Sequence, residues 1–374
     1  MPARHEVIIA GLGAMGSAAA FHLARAGRRV LGLDRFAPPH DRGSSHGRTR
    51  IIREAYFEHP TYVPLVQRAY TLWAELEQAS QSPLFQPTGG LMIGSPESVV
   101  FQGAKHSAET HHLPHEILSS AAVRRRFPAL QPDDNMMAVW EPRAGILFPE
   151  RCIAAHLSLA ARAGAQIQCE EMITQWTPDG EGVRVQTTKG EYLADWLLLC
   201  SGSWLQTLLP GWKIPVQIER QVLYWFTPHG AAKHFAPEAC PVHLWQFDEQ
   251  HFFYGFPDLG DGVKVAAHHD GEWTMPDQVR RDVTPQEIDG MRRIVRRFLP
   301  QADGPLASST VCLYTNTPDG HFWLDRHPQH PRVVIASPCS GHGFKFSSAI
   351  GEVLAHQVTR GHSDFDLRLF RTRW

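Results

Sequence analysis

The chain has 374 residues, 36 Lys and Arg against 38 Asp and Glu, a formal net charge of −2, and 43% hydrophobic and 20% charged residues. That length exceeds one ordinary core and points to two domains of a folded globular protein, not a disordered one. No basic surplus exists to neutralise phosphates, which excludes nucleic acid and an anionic membrane as partners, and the six cysteines form no C-x-x-C pair and no zinc spacing, so reduced thiols, no metal and a cytoplasmic protein are expected.

In chain order, HEVIIAG (5–11) reads as a buried strand, AMGSAAAFHLARA (14–26) as a helix closed by Gly27, and RVLGLD (29–34) as the next strand, a compact β-α-β unit. Met1 to Phe21 has the basic start and apolar run of a leader peptide, but Gly11, Gly13 and Gly16 interrupt the run and it continues into a charged helix, so no leader is expected. No stretch approaches the ~18 apolar residues of a membrane span, and the end, Arg371-Thr372-Arg373-Trp374, is no peroxisomal address. Tyr62, Leu65, Val66, Ala69, Leu72, Trp73 and Leu76 recur at helical spacing over 61–79, with Pro64 in the first turn, where its missing N–H is tolerated. A region punctuated by Pro and Gly follows, with GGLMIG (89–94) as a strand start. Residues 149–164 read as a helix with Pro at its start and Gly at its end. Strands are expected at about 166–170, 182–187, 191–200, 216–226 and 251–257, and a helix over 285–299. The last strand, RVVIAS (332–337), runs into a Gly-rich turn, SGHGF (340–344), and a closing helix of about 345–360. With strand–turn–helix units at both ends, a dinucleotide domain built from both ends would leave a second domain inserted between them.

Gly11-Leu12-Gly13-Ala14-Met15-Gly16 is G-x-G-x-x-G. The first Gly makes the tight turn, the second lets the backbone approach a pyrophosphate, and the third lets helix pack on strand. The pyrophosphate then sits at the helix N-terminus. Asp34, ending the second strand, is placed to take a ribose hydroxyl and disfavours NADP; FAD and NAD both remain open on this motif.

Further motifs follow: PPHDRGSSHGRTRIIREAY (38–56), YGFP (254–257), VKVAAHH (263–269), CLYTNTPDGHFWLD (312–325), SGHGFKFSSAIGEVL (340–354) and SDFDLRLF (363–370). Together, in this order and spacing, they resemble the monomeric sarcosine oxidase and N-methyltryptophan oxidase family, over nearly the whole chain. The resemblance implies an α/β (α+β) fold: a Rossmann-like FAD-binding domain with an inserted, mostly antiparallel substrate domain, of the D-amino-acid oxidase and sarcosine oxidase type. The FAD domain would comprise 1–83, 145–215 and 308–374, and the substrate domain 84–144 and 216–307. It implies FAD joined to Cys312 by an 8α-S-cysteinyl link, O2 as acceptor, a small N-methyl amino acid as substrate and a monomer. It also implies that Lys264 activates oxygen, that Arg53 and Lys345 bind the substrate carboxylate, and that Tyr254, His268 and Tyr314 line the pocket. Flavin contacts are implied at Arg35, Ser44, His46, Thr49, Arg50, Gly341, Gly343 and Phe344, besides Lys345. The chain departs from the family pattern at Glu54, where His is usual, at Phe57-Glu58-His59 in place of Gly-Glu-Gly, at Ser45 and Arg48 in place of His and Asp, and at Cys339 in place of a small residue.

Plainer readings stand beside these. By type alone, Cys312 is a buried core thiol, Arg50 and Arg53 share the solvated face of a helix, Lys264 is a surface lysine on an amphipathic strand, and His342 is a turn residue and not an acid or base. Trp225, Trp245, Phe247, Phe252 and Phe253 are either ordinary core or the lining of a pocket for a bulky side chain. The rival functions are oxidation of a primary or cyclic amino acid, of glycine, proline or pipecolate type, a dehydrogenase passing electrons to a carrier, and a flavin-binding protein without turnover.

Overall fold

The computed structural model describes residues 2–212 and 214–371; residue 1, residue 213 and residues 372–374, including most of the Arg371 to Trp374 end, lie outside the described residues. The expected N-terminal unit is present as strand Ala3–Ala10, helix Ala14–Arg25 and strand Val30–Leu33. Strand Ala3–Ala10 lies at the centre of an eight-stranded sheet, parallel to Val30–Leu33 on one side and to Glu191–Leu199 on the other. Strand His330–Ser337, from the far end of the chain, adds in parallel to Glu191–Leu199. Its Gly-rich turn feeds helix Ser347–Thr359, which packs on helix Ala14–Arg25. The two ends therefore build one layer whose central strand is apolar on both faces: Val7 and Ile9 pack on the helices, while Ile8 and Ala10 pack on the other side against Val183, Val185, Leu205 and Leu208.

The second sheet has nine strands, mostly antiparallel, drawn from 90–141 and 217–316. Strand Gln217–Phe226 pairs along its length with Leu306–Asn316, which places Cys312 opposite Gln221. Helix Pro285–Phe298 lies against this sheet; Thr284 caps it, its hydroxyl accepting from the Glu287 amide while the Glu287 carboxylate accepts from the Thr284 amide. A three-stranded sheet of Arg50–Ile52, Gly145–Leu147 and Phe85–Pro87 completes the set. Among the described residues, no helix is long and apolar enough to cross a membrane.

The elements that periodicity named lie within about two residues of where they were expected. Periodicity passed over helices Val99–Thr110 and Ser120–Arg126, where the first is interrupted by Gly103 and capped by Ser98. It also passed over strand Leu306–Asn316, whose polar start is half-exposed, and strands Met137–Glu141, Ile173–Asp179 and Val242–Gln246. Two expectations need correction. Arg50 and Arg53 are not on a helix: Arg50–Ile52 is a strand, antiparallel to Gly145–Leu147, because the partner strand supplies the backbone bonds that a helix would make internally. Lys264 does point away from Val263 and Val265, as its strand requires, but it is 2% exposed, since both faces of this sheet are covered.

Candidate active site

A cavity of about 540 Å3 runs between the parallel sheet and the antiparallel one, within the usual range for a ligand pocket. One end is built by the glycine turn. Gly11 has φ of +91°, and a Cβ there would lie 2.7 Å from the Cys200 carbonyl oxygen; a Cβ on Gly16 would lie 1.8 Å from the Gly11 carbonyl oxygen. Only glycine fits either position. A Cβ on Gly13 would meet nothing nearer than Ser45 Oγ at 3.8 Å, so the wall is open where a pyrophosphate approaches the helix start. Asp34 lines this end; its carboxylate accepts from the Leu12 amide at 2.7 Å and the Phe36 amide at 2.8 Å, which stiffens the turn. Ser44 and Ser201, also on the wall, have buried hydroxyls without a partner, as has His46 Nε2 nearby. Open backbone at Gly13, an acid at the ribose position and unpaired buried donors fit a dinucleotide.

Further along, Arg50 donates from Nη2 to the Ser44 carbonyl at 2.8 Å and lies 3.4 Å from Cys312 Sγ. Burial pushes the Cys312 thiol up, but His46 and Arg50 outweigh it and bring its pKa down to about 6. Cys312, His46, Thr49 and Gly16 stand just behind the cavity wall, while Ala14, Met15, Arg35, Gly341, Gly343 and Phe344 are on it. Lys264 is behind the wall too. Its Nζ donates to Gly47 O at 2.7 Å, Thr49 O at 2.9 Å and Thr49 Oγ1 at 3.0 Å, so all three ammonium protons are held. Burial, with Arg50 nearby, pushes its pKa well down.

At the other end the structure brings Arg53, Lys345, Tyr254, His268 and Tyr314 to one cavity. Arg53 is 2% exposed and donates from Nη2 to both oxygens of Glu58, at 2.8 and 2.7 Å, and from Nη1 to the Ala55 carbonyl. Glu58 is held below its ordinary range: burial opposes ionisation, but the Arg53 guanidinium beside it, helped by Lys345, overcomes it. Lys345 Nζ donates to His342 O at 2.8 Å and reaches Tyr56 Oη at 3.5 Å. Burial first, then Arg53, lowers the Lys345 pKa to about 7. His342 sits in the expected turn, and burial pulls its pKa to about 3, so it is neutral. Its Nε2 faces the Gly320 carbonyl at 3.0 Å and must donate, which leaves Nδ1 to accept from the Tyr56 hydroxyl at 2.5 Å. Across the cavity, His268 Nδ1 is 3.2 Å from the Tyr314 hydroxyl, and burial likewise keeps His268 neutral. Below about pH 7, where Lys345 is charged, Arg53 and Lys345 outnumber Glu58 at this end of the cavity, which leaves room for one more anion.

The sequence reading missed Glu58, Tyr56 and His342 as partners of this cluster. Glu58 matches the middle residue of the Gly-Glu-Gly pattern, with only Phe57 and His59 departing from it, yet its pairing to Arg53 depends on how the chain turns after Ile52. The aromatic residues divide clearly: Trp245, Phe253 and Phe247 pack with Phe298 in the core of the second sheet, Trp225 packs against Lys264, and none lines the cavity.

A glycine turn opening a helix on a parallel sheet, with a cavity shared by an antiparallel sheet, is the frame of a dinucleotide-dependent oxidoreductase. The family described as FAD dependent oxidoreductase matches residues 6–357, and the chain belongs to it. Within it, the chain belongs with the monomeric sarcosine oxidases and N-methyl-L-tryptophan oxidases. It is 43% identical to a monomeric sarcosine oxidase of Streptomyces avermitilis, over 100% of this chain and 98% of that protein. It is 35% identical to an N-methyl-L-tryptophan oxidase of Citrobacter koseri, over 98% of each. The open form of NikD, described as an unusual amino acid oxidase essential for nikkomycin biosynthesis, shares the fold, with a TM-score of 0.85 at 22% identity over 99% of this chain and 97% of that one.

Proposed function

We propose that this enzyme oxidises the C–N bond of a small N-methyl amino acid to an imine, with FAD joined covalently to Cys312. Water hydrolyses the imine to the primary amino acid and formaldehyde, while O2 takes the two electrons and two protons to become hydrogen peroxide. Bound FAD supplies the electron acceptor for the amine and passes the electrons to O2. The observation that carries the reading is the pairing of Arg53 and Lys345 on one buried wall with a single carboxylate, Glu58, between them. The substrate carboxylate takes this cationic surplus, exchanging with Glu58 for Arg53, and charge-assisted bonds orient the methyl group. The same cations disfavour an ammonium, so the bound amine loses its proton more readily. Tyr254, His268 and Tyr314 close the opposite wall and keep water out.

Cys312, with its lowered pKa, supports the 8α-S-cysteinyl link; Arg50 and His46 serve the flavin beside it. Lys264 is assigned to oxygen: burial disfavours its charge, the acceptors on Gly47 and Thr49 hold the ammonium in place, and negative charge developing on O2 favours it further. The FAD unit is taken as 1–83, 145–215 and 308–374 and the substrate unit as 84–144 and 216–307, with Leu306–Asn316 lending its hydrogen bonds to the second sheet. The protein is taken as a monomer, in keeping with the name of the Streptomyces relative, and as cytoplasmic on the strength of its free cysteines. The decisive experiment is anaerobic bleaching of the flavin with a panel of N-methyl, primary and cyclic amino acids, followed by assay of formaldehyde. Sarcosine-like substrates should bleach it and release formaldehyde; bleaching only by glycine or proline, without formaldehyde, would move the protein to the other substrate class.

A further inference from the structure

The geometry points to Glu141 and Glu150 as positioning residues that brace the two ends of strand Arg50–Ile52, Glu141 for Arg53 and Glu150 for Lys264. The inference rests on the roles proposed above for those two cations. Strand Arg50–Ile52 is only three residues long and pairs with Gly145–Leu147, Arg50 facing Leu147 and Ile52 facing Gly145. Three residues of ladder do not by themselves hold a strand, so its ends need other anchors.

Both anchors come from the segment that contains the partner strand. Before the strand, Gly47 and Arg48 have φ of +96° and +70°, and both amides converge on Glu150 Oε1, at 2.8 and 3.0 Å. Two successive amides turned to one side form a ready anion cradle, here filled by a carboxylate of the same chain. That turn presents Gly47 O, Thr49 O and Thr49 Oγ1, which take all three protons of Lys264. After the strand, Glu141 Oε1 accepts from the Glu54 amide at 2.7 Å and Oε2 from the Ala55 amide at 2.8 Å. The Ala55 carbonyl accepts from Arg53 Nη1 at 3.0 Å. Glu141 is 1% exposed, and its bonds to these two amides offset the cost of burying a carboxylate. One carboxylate thus fixes the backbone that grips the lysine, and the other fixes the backbone that aims the arginine.

A general loss of stability would impair both cations together, whereas bracing predicts two separate defects. The test uses the full flavin-loaded chain with Glu141→Ala, Glu141→Gln, Glu150→Ala and Glu150→Gln, alongside Arg53→Ala and Lys264→Met. Three quantities are read: acetate affinity from flavin absorbance, the rate at which O2 reoxidises the reduced enzyme, and hydrogen exchange of the amides in 44–57. Glu141→Ala should weaken acetate roughly tenfold to a hundredfold, the scale of a small misplacement of a binding group. Its reoxidation should stay within about twofold, as expected of independent sites. Glu150→Ala should do the reverse, slowing reoxidation about tenfold or more and leaving acetate alone. Glu150→Gln should rescue, because a single oxygen accepts both amides, while Glu141→Gln should rescue only in part, because both oxygens are in use. Exchange should quicken at Gly47 and Arg48 in one variant and at Glu54 and Ala55 in the other. Equal damage to both readings in both alanine variants, or no change in either, overturns the inference. If Arg53→Ala and Lys264→Met respond but the glutamate variants do not, only the bracing fails; if Arg53→Ala leaves acetate unchanged or Lys264→Met leaves reoxidation unchanged, the proposed site fails and the bracing with it.

Discussion

A buried cysteine ordinarily keeps its proton and packs as a small apolar side chain. Cys312 is 1% exposed, yet His46 and Arg50 bring its pKa to about 6, so it is a thiolate at neutral pH. Flavin attachment to the apoprotein should therefore slow as pH falls through 6 and level off above 7, and acid-precipitated protein should stay yellow with a flavin mass on the Cys312 peptide. Free FAD in the supernatant and an unmodified peptide would refute the link. Lys345 gives a second pH dependence. Its pKa of about 7 means that the ammonium is present below that value and lost above it, so acetate affinity should fall as pH rises through 7, by no more than about tenfold per unit for one proton. The Lys345→Met variant should lose this slope. Arg53→Ala should weaken acetate by about 2–5 kcal/mol, and Glu58→Gln should strengthen it by about 2 kcal/mol, because the ligand no longer competes with Glu58 for the guanidinium. Equal affinities in wild type, Arg53→Ala and Glu58→Gln would place the carboxylate elsewhere. Cys312, Arg53 and Lys345 were legible because each lies in a recognisable segment. Tyr56 and His342 were not, since their bond joins residues 286 positions apart and only the fold brings them together.

Helices and strands were legible wherever one period dominated: Tyr62–Ser80 and Pro149–Arg162 as helices, and the parallel strands Ala3–Ala10, Val30–Leu33 and His330–Ser337 as apolar runs. Periodicity does not say which polar side chains such helices bury. His22, in helix Ala14–Arg25, and His156, in helix Pro149–Arg162, belong to this class. Burial lowers His22 to about 4 and His156 well below its ordinary value; the two helices pack together, with the Phe21 ring 5.6 Å from that of His156. In the unfolded chain both titrate near 6.5, so the unfolded state binds more protons between about 6.5 and 4. Stability is thus complete above 6.5 and falls as pH drops toward 4, with His22 alone accounting for roughly 3 kcal/mol. Urea midpoints at pH 7 and 4.5 should show this loss, and His22→Leu should reduce it; an unchanged pH dependence in that variant would assign the acid sensitivity to other groups.

At the scale of the whole molecule, the two sheets are joined by long-range polar contacts as well as by the cavity between them. Arg281 donates to the carbonyls of Asp41, Arg42 and Val311, and Asp277 accepts from Arg35 at 2.8 Å and from Trp204 Nε1 at 3.0 Å. Arg281→Ala should lower stability by about 1–3 kcal/mol, the range for hydrogen bonds to a charged group. It should also loosen the segment that carries Ser44, seen as a lower Tm and faster proteolysis of the 38–46 loop; a wild-type Tm would show that these bonds are replaced by water. The glycine turn, the helix behind it, Asp34 and the β-α-β order were determined by the sequence alone, because each depends on residues within about one supersecondary unit. The covering of both sheet faces, the capture of Lys264 by Gly47 and Thr49, and the pairing of Arg53 with Glu58 were decided only by tertiary structure. Lys264 and Gly47 are 217 positions apart. A strand's alternation says which side a lysine faces, but what waits on that side is another part of the chain. Burial, and with it charge state and reactivity, is a property of the packed layers and not of any local pattern.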